Sequence, residues 1–171
     1  MIRVQFIHGL ESSPTSSKAR YLAERFDSAA AAMDTTQFES AVETQRLAVA
    51  ARKPDVLVGS SFGGAVALAL LTRGHFRGPT VLLAPAHRHY GVPERLPEGI
   101  AVTVVHGRSD DVVSIDGSRA LAKTGTAGLV ELLEVEDEHR LGSLLADETL
   151  ANIVSGVAAR GREAALAPKP G

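Results

Sequence analysis

The chain has 171 residues, enough for one domain with a full core and few for two. Hydrophobic residues at 44% and charged residues at 22% exclude a chain that is disordered throughout. Eighteen Lys and Arg against 20 Asp and Glu leave a net charge of -2, which gives no electrostatic reason to expect a nucleic-acid partner. The absence of cysteine removes disulfides, thiolate metal sites and a Cys nucleophile together. The longest uninterrupted apolar run, Ala65 to Leu71, is too short to span a bilayer, and the opening MIRVQFIHG reaches Gln5 and His8 too soon for a signal peptide. The expectation is a cytoplasmic protein with neither a membrane nor a nucleic-acid partner.

Short β-branched runs alternate with longer segments of helical period, which predicts βαβ units and a parallel sheet. The first strand is expected at Ile2–Ile7. A helix follows with Ala19, Leu22, Ala23 and Phe26 on one face, with Ser13 and Pro14 suited to its N-cap and first turn. A weak, alanine-rich second strand is placed at Ala29–Met33 by its position in the alternation. Phe38, Ala41, Val42, Ala48 and Val49 form the stripe of a second helix ending near Pro54. The third strand is expected at Asp55–Gly59, and the helix Gly63–Arg73 after it is apolar nearly all round, so it should be buried. Strands four to six are expected at Thr80–Ala84, Ala101–His106 and Leu129–Val135. Their near-continuous apolar runs fit a sheet covered on both faces. Leu150, Ile153, Val154 and Val157 mark the last helix, and residues 161–171 are expected to fray, leaving residues 1–160 as the domain. Only 16 residues separate Ala84 from Ala101, too few for a cap domain. The fold expected is α/β: a three-layer sandwich around a mostly parallel, doubly wound sheet of about six strands.

Gly59-Ser60-Ser61-Phe62-Gly63 fits Gly-x-Ser-x-Gly at a strand end, directly before the buried helix. A nucleophile on so tight a turn has strained backbone geometry, and glycine two residues to either side avoids collisions. The register selects Ser61, since Ser60 would need glycine where Val58 stands. A serine hydroxyl needs a base, and the base needs an orienting acid. Chain order Ser, acid, His favours His139 over His106, because His106 precedes its acid. In the segment after His106, Asp110 is preferred as the acid. Asp111 is the alternative, or a cap for a helix beginning near Ser114. The N–H groups of Phe62 and Leu10 are the candidates for binding a tetrahedral oxyanion. His8 is expected to brace the loop that carries Leu10. His87 and His89 form an H-x-H without a nearby third ligand, so they are expected to line a pocket rather than hold a metal. The acidic residues Glu134, Glu136, Asp137 and Glu138 are expected to form a solvated loop.

At these residues the chain resembles the α/β-hydrolase superfamily. More narrowly, its opening HGLESSPTSSKA and its elbow residues Gly59, Ser60, Ser61, Gly63 and Gly64 are similar to the small bacterial esterases of the YqiA type. The resemblance runs from about Ile2 to Val157. It implies a lidless sheet ordered 2-1-3-4-5-6, carboxylic-ester hydrolase activity, and Ser61, Asp110 and His139 as the triad. Two departures stand out. Ser114 replaces a proline that often follows the acid loop, and Arg140-Leu141 stands where a small residue and an aromatic are common.

The resulting expectation is acyl transfer to water through an acyl-enzyme on Ser61, with a small or short-acyl ester as substrate and no metal or organic cofactor. A thioesterase or acyltransferase would use the same residues, and a non-catalytic binding module could share the fold.

Overall fold

The computed structural model describes residues 1–10, 12–169 and 171. In chain order it contains β1 (Arg3–Ile7), α1 (Ser17–Arg25), β2 (Asp27–Ala30), α2 (Phe38–Arg52), β3 (Val56–Ser60), α3 (Phe62–Thr72), β4 (Thr80–Leu83), β5 (Val102–Gly107), α4 (Ile115–Leu121), β6 (Val130–Val135) and α5 (Thr149–Leu166). Short 3-10 helices at His87–Tyr90 and Gly142–Leu145 complete it. The six strands form one sheet ordered β2-β1-β3-β4-β5-β6, and every neighbouring pair is parallel. Among the described residues no cap stands over it. The order reverses between β1 and β3, and in open parallel sheets ligands bind at the strand C-termini beside such a switch point.

The two-residue period of the strands sorts their side chains into two cores. Ile7, Leu57, Leu82, Val102 and Val104 point into one, against α2, α3 and Leu121 of α4. Val4, Phe6, Val56, Val58, Val81, Leu83 and Val105 point into the other, against α1 and α5. Residues 62–71 of α3 are all buried, because this helix lies between the sheet and α2. Its lack of an amphipathic pattern follows from that double coverage.

Four local details differ from the sequence reading. Strand β2 begins at Asp27 and ends before Ala31, because its partner β1 fixes the register through Arg3↔Asp27 and Phe6↔Ala30. An edge strand of small and polar residues has no hydrophobic pattern to mark its own bounds. The N-cap of α1 is Ser16, whose Oγ accepts from the Ala19 N–H at 3.4 Å, while Ser13 and Pro14 shape the turn before it. The cap of α4 is Ser114, accepting from the Asp116 N–H at 3.2 Å, and Asp111 does not fill that role. Helix α5 does not stop at Gly161 but continues to Leu166; Pro170, in the stretch expected to fray, lies outside the described residues. Gly161 is seated on Pro79, which holds the axis against the body, and the good helix formers of residues 162–166 carry on from there.

Candidate active site

The C-terminal ends of β1, β3, β4, β5 and β6 deliver their following loops to one end of the sheet. Strand β3 runs directly into α3 through Ser61, whose backbone has φ 56° and ψ -113°. Such a conformation is unfavourable for any residue with a side chain and persists only where its surroundings enforce it. The enforcement is visible. A Cβ on Gly59 would stand 2.4 Å from the carbonyl oxygen of Gly63, and one on Gly63 would stand 2.0 Å from that of Ile7. The collisions that require glycine are therefore with main chain of α3 and β1, not with side chains flanking the serine. The Ser61 N–H bonds to the Leu83 carbonyl at 2.9 Å, and its own carbonyl accepts from the Ala86 N–H at 3.0 Å.

Ser61, His139 and Asp110, drawn from three loops, form one hydrogen-bonded line. Nε2 of His139 lies 2.9 Å from Ser61 Oγ, and its Nδ1 lies 2.7 Å from Oδ2 of Asp110. The imidazole is 19% exposed, whereas the Asp110 side chain is sealed from solvent. Oδ1 of Asp110 accepts the N–H groups of Val112 and Val113 at 2.9 and 2.8 Å. Burial by itself pushes this carboxyl up; the Val113 N–H, the His139 imidazole and the Val112 N–H outweigh it and hold the group below the usual carboxylate range. Asp111, one residue on, is exposed. A carboxylate bonded to Nδ1 leaves Nε2 of a neutral imidazole free to accept a proton from the serine hydroxyl.

The residues expected to face an oxyanion sit beside this line. As the first residue of α3, Phe62 has an N–H without an intrahelical partner. Its ring is fixed by an aromatic cluster: Phe38 and Tyr90 stack at 5.0 Å and both meet Phe62 edge-on. Gly9, just before Leu10, approaches Ser61 so closely that a Cβ would lie 3.6 Å from the serine Cβ. Leu10 itself is half exposed. His8 is buried and its Nδ1 donates to the Gly9 carbonyl at 2.9 Å, which braces the loop.

The remaining histidines have other surroundings. His106 is fully buried, with Nδ1 2.7 Å from Ser118 Oγ and Nε2 2.9 Å from the Val113 carbonyl. His87 and His89 line a cavity of about 50 Å³ together with Pro85, Ala86, Val113 and Ser114. His87 faces Glu94 at 2.9 Å. Among the described residues no group of three or more His, Asp or Glu side chains is gathered to hold a metal ion, and no helix is long and apolar enough to cross a membrane.

Residues 3–94 match the model of the uncharacterised protein family UPF0227, more than half of the chain. The chain belongs to this family. The matched residues include the opening motif and the elbow, and the resemblance to YqiA-type proteins rests on that same stretch. No curated protein matches the UPF0227 chain. Solved structures extend the likeness to the whole fold. The monoacylglycerol lipase of Paleococcus ferrophilus is 13% identical at a TM-score of 0.73, covering 92% of this chain and 94% of the lipase. Alpha/beta hydrolase domain-containing protein 10 from mouse is 16% identical at a TM-score of 0.68, covering 94% and 90%. Est1E from Butyrivibrio proteoclasticus is likewise 16% identical at a TM-score of 0.68, covering 97% and 89%. At these identities the comparison shows a common α/β-hydrolase fold, which this UPF0227 member builds in 171 residues.

Residues of equal structural weight escape a reading of the sequence. Lys18, in the opening motif, sends its Nζ to the Arg140 carbonyl at 2.6 Å, beside His139. Leu141 holds a left-handed backbone with φ 54° although it is not glycine. The motif HGLESSPTSSKA was the available signal for Lys18; Leu141 leaves none.

Proposed function

We propose that the protein is a serine hydrolase that cleaves carboxylic esters of small or short acyl groups. The observation that carries this reading is the unbroken line from Ser61 Oγ to Nε2 of His139 and from its Nδ1 to Asp110, starting at a serine held in strained geometry. Names given to proteins of the same fold, a monoacylglycerol lipase among them, support hydrolysis as the reaction class.

The steps follow from the geometry. Ser61 Oγ attacks the ester carbonyl carbon while its proton passes to Nε2 of His139. The N–H groups of Phe62 and Leu10 receive the oxyanion, and the positive end of α3 adds to its stabilisation. As the tetrahedral intermediate collapses, the C–O bond to the alcohol breaks and His139 returns the proton to the leaving oxygen. Water then attacks the acyl-enzyme, giving its proton to His139, and the acid departs with Ser61 restored. Asp110 stays ionised throughout, fixes the imidazole tautomer and stabilises the imidazolium. No step calls for a metal or an organic cofactor.

The decisive experiment is labelling with a fluorophosphonate, mapping of the adduct, and parallel assay on p-nitrophenyl acetate. An adduct on Ser61 that disappears in His139→Ala is the expected result. A folded protein that forms no adduct and turns over no ester would overturn the reading in favour of a binding module.

A further inference from the structure

We infer that Lys18 is a positioning residue for His139, acting through the peptide bond between Arg140 and Leu141. The inference rests on the serine-hydrolase reading, but its structural content stands on four observations. First, Lys18 Nζ donates to the Arg140 carbonyl at 2.6 Å, joining α1 to a loop 122 residues away in sequence. Second, Leu141 is fully buried with φ 54° and ψ 39°, a left-handed backbone that a branched side chain disfavours. Third, the Arg140 carbonyl lies in the peptide plane whose rotation would release that strain. Fourth, the loop before His139 is pinned separately: the Asp137 carboxylate accepts from the N–H and Oγ of Ser143 at 2.9 and 2.6 Å and from the Glu138 N–H at 2.7 Å.

These contacts place His139 between two anchors. On one side Asp137 closes a turn onto Ser143. On the other side the peptide strained at Leu141 is held at both of its polar groups: its N–H bonds to the Glu138 carbonyl at 3.2 Å, and its oxygen accepts from Lys18. A shift of that peptide would pass through the Arg140 backbone to His139 and move Nε2 off the serine hydroxyl. The lysine ammonium gives up part of its hydration to reach this oxygen; burial pushes its pKa down, with Asp137 opposing the shift.

A general role in docking α1 is the competing account, and the packing argues against it. Ala19, Tyr21 and Leu22 already bury that helix, the Tyr21 hydroxyl donates to the Asp147 carbonyl at 2.7 Å, and Arg25 pairs with Glu148 at 2.8 Å. Helix α1 therefore remains seated when Lys18 loses its donor.

The test uses the full chain with Lys18→Met, Lys18→Arg and Lys18→Met combined with Leu141→Gly. Turnover of p-nitrophenyl acetate, the rate of Ser61 phosphonylation, Tm and the low-field proton resonance of the His139 Nδ1–H are measured. Lys18→Met should lose about 100-fold in kcat, with KM within about twofold, Tm close to wild type, and a broadened or shifted imidazole resonance. Lys18→Arg, which keeps a donor, should recover most of the rate. Leu141→Gly should recover about tenfold in the Met background, because glycine accepts φ 54° without being held. A Lys18→Met protein with wild-type kcat and resonance, or a rate that falls only in step with the unfolded fraction, would overturn the inference. So would a double variant with no recovery in rate per folded molecule, the folded fraction being read from its Tm. If wild type itself fails to label at Ser61, the functional reading fails, and the imidazole resonance still decides the role of Lys18.

Discussion

Asp110 and His106 meet in the interior: Oδ2 of the carboxylate lies 3.0 Å from Nε2 of the imidazole, and neither side chain has any exposure. The proton on that nitrogen goes to the Val113 carbonyl, an acceptor that fixes the tautomer, and the Ser118 hydroxyl completes the ring's partners. His106 thus presents the edge of an N–H dipole to the same oxygen that His139 engages from the other side. With two backbone N–H groups on Oδ1, the buried carboxylate is surrounded by donors on every side. A buried charge is tolerated only under such conditions.

The assignment of Asp110 rather than Asp111 follows and is testable. Asp110→Asn keeps the shape but presents an amide to Nδ1, favouring the wrong tautomer, and should lower kcat by about 10⁴-fold. Asp111→Asn, at an exposed side chain, should stay within about twofold. Steady-state kinetics on both variants checks this, and the reverse ranking would exchange the two residues.

A second prediction concerns acid stability and the loop after β4. Arg88 donates to the Glu94 carboxylate through Nε and Nη2 at 2.5 and 2.8 Å, and His87 faces it at 2.9 Å. The Arg88 bonds, with His87 adding to them against the effect of burial, push the Glu94 pKa down from 4.5 to about 2. A carboxyl depressed on folding contributes stability that is fully present above its unfolded value and is lost as pH falls through the folded one. Wild type should therefore exceed Glu94→Gln in Tm at pH 5, and the gap should close between about pH 4.5 and pH 2. A gap that is constant across that window would show that the ion pair contributes nothing in the folded state.

The extent to which the sequence disclosed this site has a physical basis. Ser61, Asp110 and His139 each stand just beyond a strand, and strands carry their own periodic signal, so chain order brought a serine, an acid and a histidine to one end of the sheet, while the spacing HG-x-x-D from His106 chose Asp110 over Asp111. The elbow glycines were legible because a backbone collision demands one residue type. The details that were not legible depend on partners distant in sequence. The register of β2 is set by β1, the reach of α5 beyond Gly161 by Pro79, and the grip on Arg140 by Lys18. Ser16 and Ser114 were two among several serines able to cap, and the choice depends on how the chain enters each helix.

Substrate size follows from what surrounds Ser61. The apolar side chains of Leu10 and Val112, on the loops that follow β1 and β5, are half or more exposed. A chain lying against side chains this exposed stays largely in water, so added methylenes gain little of the roughly 0.8 kcal/mol per CH₂ that full burial would give. Across p-nitrophenyl esters from acetate to dodecanoate, kcat/KM should peak at two to four carbons. A steady rise to the long chains would mean that the loop from Pro85 to Gly99 opens further than the structure shows.

The backbone of Ser61 allows the strain of the elbow to be measured separately from its chemistry. At φ 56° and ψ -113° a residue with a Cβ is unfavourable by about 1–3 kcal/mol, whereas glycine enters this region readily. Ser61→Ala and Ser61→Gly both remove the nucleophile and should abolish ester turnover to a similar degree. They differ in strain, because alanine keeps the Cβ and glycine does not. Glycine also loses more backbone entropy on folding, about 0.5–1 kcal/mol, which offsets part of the relief. Urea unfolding should therefore find Ser61→Gly more stable than Ser61→Ala by about 1 kcal/mol. A Ser61→Gly variant less stable than Ser61→Ala by about 0.5–1 kcal/mol, the entropy cost alone, would mean that the turn holds no strain and that its conformation follows only from packing of Gly59 and Gly63.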